Sequence, residues 1–182
     1  MKHALVVGGS GMLLDVSRWL MNNGYHVSVI GRSQEKMNRL IDTNTEHLIT
    51  PILVDYNNDH ELNEKMKNLI NQNGKIDLII SWIHSYAEGA LKTIVKHNSV
   101  NNDNWTLLQV LGSKANLFEE EKKVNLPAKC TYRTVQLGFI IENNNARWLT
   151  HDEISDGVIK AINSVNPRTT IGVTEPMEER PN

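Results

Sequence analysis

A single cysteine, Cys130, stands among 182 residues. No disulfide can close within the chain, and a reducing compartment is the simple expectation. No basic stripe or run occurs, and basic residues are scattered along a chain of formal net charge -2. That balance leaves no electrostatic footprint for nucleic acid. No apolar stretch approaches the roughly 18 residues a bilayer-spanning helix requires, so no membrane partner is expected. Met1-Lys2-His3-Ala4-Leu5-Val6-Val7 has the look of a signal-peptide start, but Gly8-Gly9-Ser10-Gly11 breaks it and no cleavage site follows. A buried first strand and a cytoplasmic location are the reading. The seven histidines show no ligand spacing, so no metal is expected.

What is present is an alternation of two hydrophobic periods. Apolar runs of four to seven residues recur, separated by amphipathic segments, as in repeated βαβ units. Ala4–Val7 reads as strand one, followed by a helix presenting Met12, Leu13, Val16, Trp19 and Leu20 and stopped by Gly24. His26–Ile30 is strand two, and Ser33 caps a helix with Met37, Leu40 and Ile41. Leu48–Val54 is strand three, where Pro51 points to an edge or irregular position. Asn58 with Glu61 caps a helix burying Leu62, Met66, Leu69 and Ile70.

Ile76–Trp82, the most apolar run, is expected to be the central strand four. Ser85 with Glu88 makes a capping pattern for the next helix, and Trp105–Leu111 is strand five. Residues 112–129 hold a short helix or a loop. Thr131–Glu142 returns to strand character, and Thr150 with Glu153 caps a last helix presenting Ile154, Val158, Ile162 and Val165. Thr169–Val173 closes the sheet. The expectation is a three-layer α/β/α Rossmann fold, a doubly wound, mostly parallel sheet of about seven strands. Residues 1–174 form one dinucleotide-binding domain, and 175–182, rich in proline and glutamate, a flexible tail.

The informative segment is Val6-Val7-Gly8-Gly9-Ser10-Gly11-Met12-Leu13-Leu14, between a strand and a helix. Glycine lets a backbone turn tightly and approach a pyrophosphate, and a helix N-terminus offers unpaired N–H groups. The pattern is incomplete, because Leu14 takes the place of the last glycine, which ordinarily lets the helix pack closely on the strand. Leu14 must push the helix outward or point elsewhere. A purely structural turn is the plain alternative. Strand two ends Gly31-Arg32-Ser33 without the carboxylate that usually holds an NAD ribose. Arg32, with Ser33 beside it and Lys36 and Arg39 farther along, suits a 2′-phosphate, which selects NADP(H) over NAD(H). A solvated surface arginine is the alternative.

The glycine turn, Gly31-Arg32-Ser33, and Val54-Asp55-Tyr56 after strand three together resemble the short-chain dehydrogenases/reductases over residues 1–113. Gln136-Leu137-Gly138-Phe139 is similar to the turn that follows the family's strand six. The resemblance implies a cofactor site of Gly8, Gly9, Ser10, Gly11, Met12, Leu13, Arg32, Ser33, Asp55, Ser81 and Trp82, with Asp55 near the adenine. The helix carrying the family's Tyr-x-x-x-Lys pair is missing. Tyr132-Arg133-Thr134-Val135-Gln136 matches only in part, and Tyr132 falls where strand six should run. The missing helix corresponds to the shortened stretch 114–129.

Three substitutes for the proton donor stand at the expected ligand edge: His84, Tyr86 and Ser113. Each has a structural alternative, as a helix start for His84 and a core cover for Tyr86. Three functions stay open: an NADP(H)-dependent oxidoreductase on a small carbonyl or alcohol, a non-catalytic NADP(H) binder or redox sensor, and a scaffold that has lost the cofactor. Family members form homo-oligomers through the helices flanking strand five. Here one is short and the other missing, so a homo-oligomer is left open without that arrangement.

Overall fold

A computed structural model describes residues 1–41, 45–100 and 102–182. Among these residues, nine strands and six α-helices follow in the order β1 (Lys2–Val7), α1 (Leu14–Asn22), β2 (Tyr25–Gly31), α2 (Gln34–Asn38), β3 (Ile49–Leu53), α3 (Asp59–Asn73), β4 (Leu78–Trp82), α4 (Glu88–Ser99), β5 (Trp105–Leu111), α5 (Leu117–Lys123), β6 (Cys130–Leu137), β7 (Phe139–Glu142), β8 (Asn145–Trp148), α6 (His151–Ile162) and β9 (Arg168–Ile171). Seven strands form one sheet in the order β3-β2-β1-β4-β5-β6-β9, with β7 and β8 apart as a hairpin. Every pairing in the large sheet is parallel. The expected doubly wound Rossmann sheet is therefore present.

Alternation along β1 explains why its whole length is apolar. Ala4 and Val6 enter a core with α1 and α6, through Val16, Leu20, Ile154 and Val158. Leu5 and Val7 enter the opposite core with α3 and α4, through Leu62, Met66, Leu91 and Ile94. A strand covered on both faces has no polar side to show. β4 is the fourth of seven strands, and β3, which carries Pro51, is an edge. An edge strand has a row of backbone groups outside the ladder, where the missing N–H costs nothing.

The caps at Ser33, Asn58 and Thr150 form as expected, the last as a full capping box with Glu153. Ser85 does not cap. Residues Ser85–Ala87 make a 3-10 turn, and α4 starts at Glu88 with no side-chain cap. Val165 lies beyond the end of α6 and is 94% exposed. The segment read as one strand over 131–142 is two. Gly138 separates them, because a Cβ there would stand 2.1 Å from the Val173 carbonyl oxygen. The β7–β8 hairpin turns on Asn143 and Asn144, both at positive φ, the conformation a two-residue hairpin loop demands. The expected tail is held at three points: Arg180 Nε donates to Ser113 Oγ, its guanidinium lies 4.7 Å from the Trp148 ring centre, and Trp148 Nε1 donates to the Asn182 carbonyl.

Near the amino ends of β1 and β2, His3 is buried between the Ser28 hydroxyl, 2.8 Å from Nε2, and the Lys75 carbonyl, 3.2 Å from Nδ1. Burial holds its pKa below the ordinary histidine value, and His26, 5.7 Å away, is lowered by the same cause. The unfolded chain thus binds more protons than the folded one just below the free-histidine pKa. Stability should be flat above about pH 6.5 and fall towards about pH 5. Urea melts across that window test this, and His3→Gln should flatten the slope.

Candidate functional site

The strand order reverses between β1 and β4, so the connections leaving these neighbours diverge and open a crevice at their carboxyl ends. The glycine turn occupies that crevice. Gly8 has φ +83° and its amide donates to the Ile30 carbonyl, which pins the turn to β2. The Gly8 carbonyl then accepts from the amides of Gly11 and Leu13. Among the described residues, no hydrogen bond engages the backbone amides of Ser10 and Met12.

Gly9 is where α1 meets β1. A Cβ there would lie 2.5 Å from Ser17 Oγ and 2.9 Å from Val6 Cβ, and Ser17 Oγ donates to the Gly9 carbonyl at 3.0 Å. Close packing therefore depends on Gly9, and Leu14 neither expels the helix nor reaches the turn. It is half-buried against the core beneath α1 and α6. Gly11 differs: an added Cβ meets only the Gly8 carbonyl oxygen, at 3.8 Å. Gly11 faces the open side of the turn.

A groove of about 480 Å³ runs from this turn to the end of β2. Gly8, Ser10, Gly11 and Met12 line one end, and Arg32, Ser33 and Lys36 the other. Tyr56, Trp82 and His84 complete the wall. Trp82 abuts the turn, with its Cβ and Cδ1 3.5 Å from where a Gly8 Cβ would be. Of the expected cofactor residues, Gly9, Leu13 and Ser81 lie beneath the groove and do not line it. Leu13 and Ser81 are fully buried, and Ser81 Oγ has no hydrogen-bond partner among the described residues. Asp55 is also outside the lining. It accepts from the Asn57 backbone and side-chain amides and stands 3.9 Å from Arg32.

A second cavity, of about 420 Å³, adjoins the groove and shares Trp82 and His84 with it. It lies between the ends of β4 and β5, the start of α4 and α5. His84 stacks on Tyr86, ring centres 5.3 Å apart, and meets Trp82 edge-on at 6.0 Å. Tyr86 is 65% exposed and lines neither space. Ser113 is buried and lines the cavity, its hydroxyl accepting from Arg180 Nε at 2.9 Å.

The crossover from β5 to β6 holds only the seven-residue α5. Tyr132 lies within β6 and donates to Gln109 Oε1 at 2.6 Å, with burial raising its pKa. Its partial motif match is thus a strand residue. Cys130 begins β6, at the edge away from the groove, and burial pushes its thiol up to about 11. Neither sits with the ligand edge. Sequence reasoning missed Tyr56 as a groove wall and Arg180 altogether; nothing local in the tail marks Arg180 as a site residue.

The sequence profile described as short chain dehydrogenase matches residues 2–105, more than half of the chain. The chain belongs to that family. The fold is similar to that of a short-chain dehydrogenase from Streptomyces avermitilis, with TM-score 0.69 and 9% identity, covering 94% of this chain and 88% of that one. It is also similar to an alcohol dehydrogenase from the archaeon Thermococcus sibiricus complexed with 5-hydroxy-NADP, with TM-score 0.68 and 12% identity, covering 100% and 99%. A short chain dehydrogenase from Burkholderia cenocepacia in complex with NADP gives TM-score 0.68 and 14% identity, covering 94% and 96%. Comparison with curated protein sequences gives no match.

The contact at Gly9 makes a direct prediction. Gly9→Ala should destabilise the fold by about 1–3 kcal/mol through overpacking, whereas Gly11→Ala should melt with the parent. Chemical denaturation of the two variants checks it, and equal loss in both would contradict the packing described.

Proposed function

We propose that the groove binds NADP(H), the pyrophosphate at the glycine turn and the 2′-phosphate beside Arg32. The observation that carries this reading is that both recognition elements line one groove. The free amides of Ser10 and Met12 stand at one end, and a guanidinium at the other. Backbone amides at a helix start suit a diphosphate. Arg32 and Lys36 supply two positive charges, and Ser33 a hydroxyl, where no carboxylate lines the wall. The Arg32–Asp55 contact spans 3.9 Å between groups 60% and 47% exposed. Such a pair holds its partners weakly, so the guanidinium is available to a phosphate dianion. The complexes of similar folds with NADP and 5-hydroxy-NADP agree with this choice.

When bound, the nicotinamide supplies or accepts hydride. Whether this chain uses it depends on a proton donor. The short crossover lacks a Tyr-x-x-x-Lys helix, which favours a binder or redox sensor. A second reading, an oxidoreductase on a small carbonyl or alcohol, rests on His84. This residue lines both the groove and the adjoining cavity, so its imidazole can hold a proton between them. In that reading Tyr86 orients the imidazole by stacking, and Ser113 donates a hydrogen bond from the far wall.

NADPH should raise the Tm more than NADH does, and Arg32→Ala should remove most of that difference. Gly11→Ala should keep the parent Tm without ligand and lose at least about tenfold in NADPH affinity, because its Cβ would stand on the open side of the turn. Thermal shift and fluorescence titration read both; an undiminished NADPH preference in Arg32→Ala would reject the phosphate assignment. For the oxidoreductase reading, His84→Ala should slow NADPH oxidation with carbonyl substrates without abolishing NADPH binding.

A further inference from the structure

We propose that the cavity beside the groove binds a small organic carboxylate, with Arg180 from the C-terminal segment as its anchor. The inference deepens the NADP(H) reading, on which it rests for taking the cavity as the substrate side of the site. Four observations carry it. The cavity holds about 420 Å³, within the usual range for a small-molecule site. Its floor is apolar, from Ala87, Leu91, Leu111 and Val124. Its charge is unbalanced: Lys92, Lys114, Lys123 and Arg180 line it against Glu88 and Glu120. Lys123 occupies both of these carboxylates, at 3.2 and 2.9 Å. Lys92, Lys114 and Arg180 therefore face the space with no ion pair among the described residues.

Arg180 is the fixed cation of the three. Its Nε donates to Ser113 Oγ at 2.9 Å, and its guanidinium stacks 4.7 Å from the Trp148 ring centre. Those two contacts hold the side chain against this wall. Its terminal nitrogens make no hydrogen bond or ion pair among the described residues. The edge formed by its two terminal nitrogens is free and matches a carboxylate bidentately. Ser113 Oγ accepts from Arg180, so its own proton is free to donate to the same anion. Lys92 and Lys114 are exposed and add attraction without geometry. The ligand thus has one carboxylate at the Arg180–Ser113 end. Its short apolar body lies over Leu91 and Val124, and its other end approaches His84 and the mouth of the groove.

The test uses the full chain with and without saturating NADP+, and straight-chain carboxylates from butanoate to octanoate, each beside its primary amide. Calorimetry or ligand-observed NMR should show at least one acid binding at low millimolar concentration or tighter, with its amide at least tenfold weaker. Arg180→Met, in a half-exposed segment outside both cores, should fold normally. It should weaken the acid at least tenfold while leaving NADP+ affinity within twofold, and Arg180→Lys should recover part of the loss. Equal binding of acid and amide, unchanged affinity in Arg180→Met, or no acid binding at 10 mM would each overturn the proposal. Preference for hexyl phosphate over every acid would overturn the carboxylate class. Acid binding in a chain that ignores NADP+ would leave the cavity assignment standing and sink the cofactor reading instead.

Discussion

The approach of α1 to β1 at Gly9 is the constraint on which the candidate site depends. Ser17 Oγ donates to the carbonyls of Gly9 and Leu13 at 3.0 and 3.3 Å, so one buried hydroxyl holds the turn and the first residue before the helix together. There is no room for a methyl group at that contact. With Gly9 held in, the Gly8 carbonyl is directed at the amides of Gly11 and Leu13, and the amides of Ser10 and Met12 are left over. Unpaired amides are costly when buried but not at a crevice rim, where water or an anion can take them. Close packing inside the turn and unpaired amides on its outer side are therefore two consequences of one geometry.

The same geometry explains why the turn tolerates a sequence that departs from the three-glycine pattern. The pattern assigns close helix–strand packing to its last glycine, here Leu14. In this chain the closest contact lies earlier, at Gly9, and α1 begins only at Leu14. Leu14 then has half-buried space on the α1–α6 side instead of a clash. A motif read as spaced letters could not reveal this. The spacing says which residues are small, not which of them is under pressure.

How far the fold could be read from the sequence follows the range of the forces involved. Trp105–Leu111 was bounded correctly because the strand is buried on both faces and its neighbours are polar. Asn58, Thr150 and Ser33 announced helix starts because a cap is a bond to a residue two or three positions on. Pro51 placed β3 at an edge by what it lacks. Ser85 misled, since its spacing to Glu88 matches a capping box while the chain enters α4 through a 3-10 turn. The β7–β8 hairpin was missed although Asn143-Asn144 is a legible turn, because the apolar run continues through Gly138. What requires glycine at the break is the backbone of Val173, 35 positions away, which leaves no space for a Cβ. Of the residues that line the groove, Gly8, Ser10, Gly11, Met12, Arg32, Ser33, Trp82 and His84 are legible from local sequence. Arg180 in the adjoining cavity is not, for it reaches that wall only where the tail lies against Trp148 and Ser113.

The crossover after β5 is short: α5 has seven residues, and Lys123 ties it to Glu88 at the start of α4 while Val124 enters the core. On strand β6, Tyr132 closes the sheet face by bonding to Gln109, a polar residue that also lines the cavity. The cavity is bounded by the crossover, through Asn116, Glu120, Lys123 and Val124, and by Arg180 of the C-terminal segment. The groove is built largely from backbone and strand ends, whereas the cavity is built from side chains of α4, α5 and the tail, and the two meet only at Trp82 and His84. Changes in the crossover can therefore reshape what the cavity accepts without disturbing the turn at Gly9. The groove beside the turn and the cavity beside the crossover are thus separable parts of one carboxyl edge.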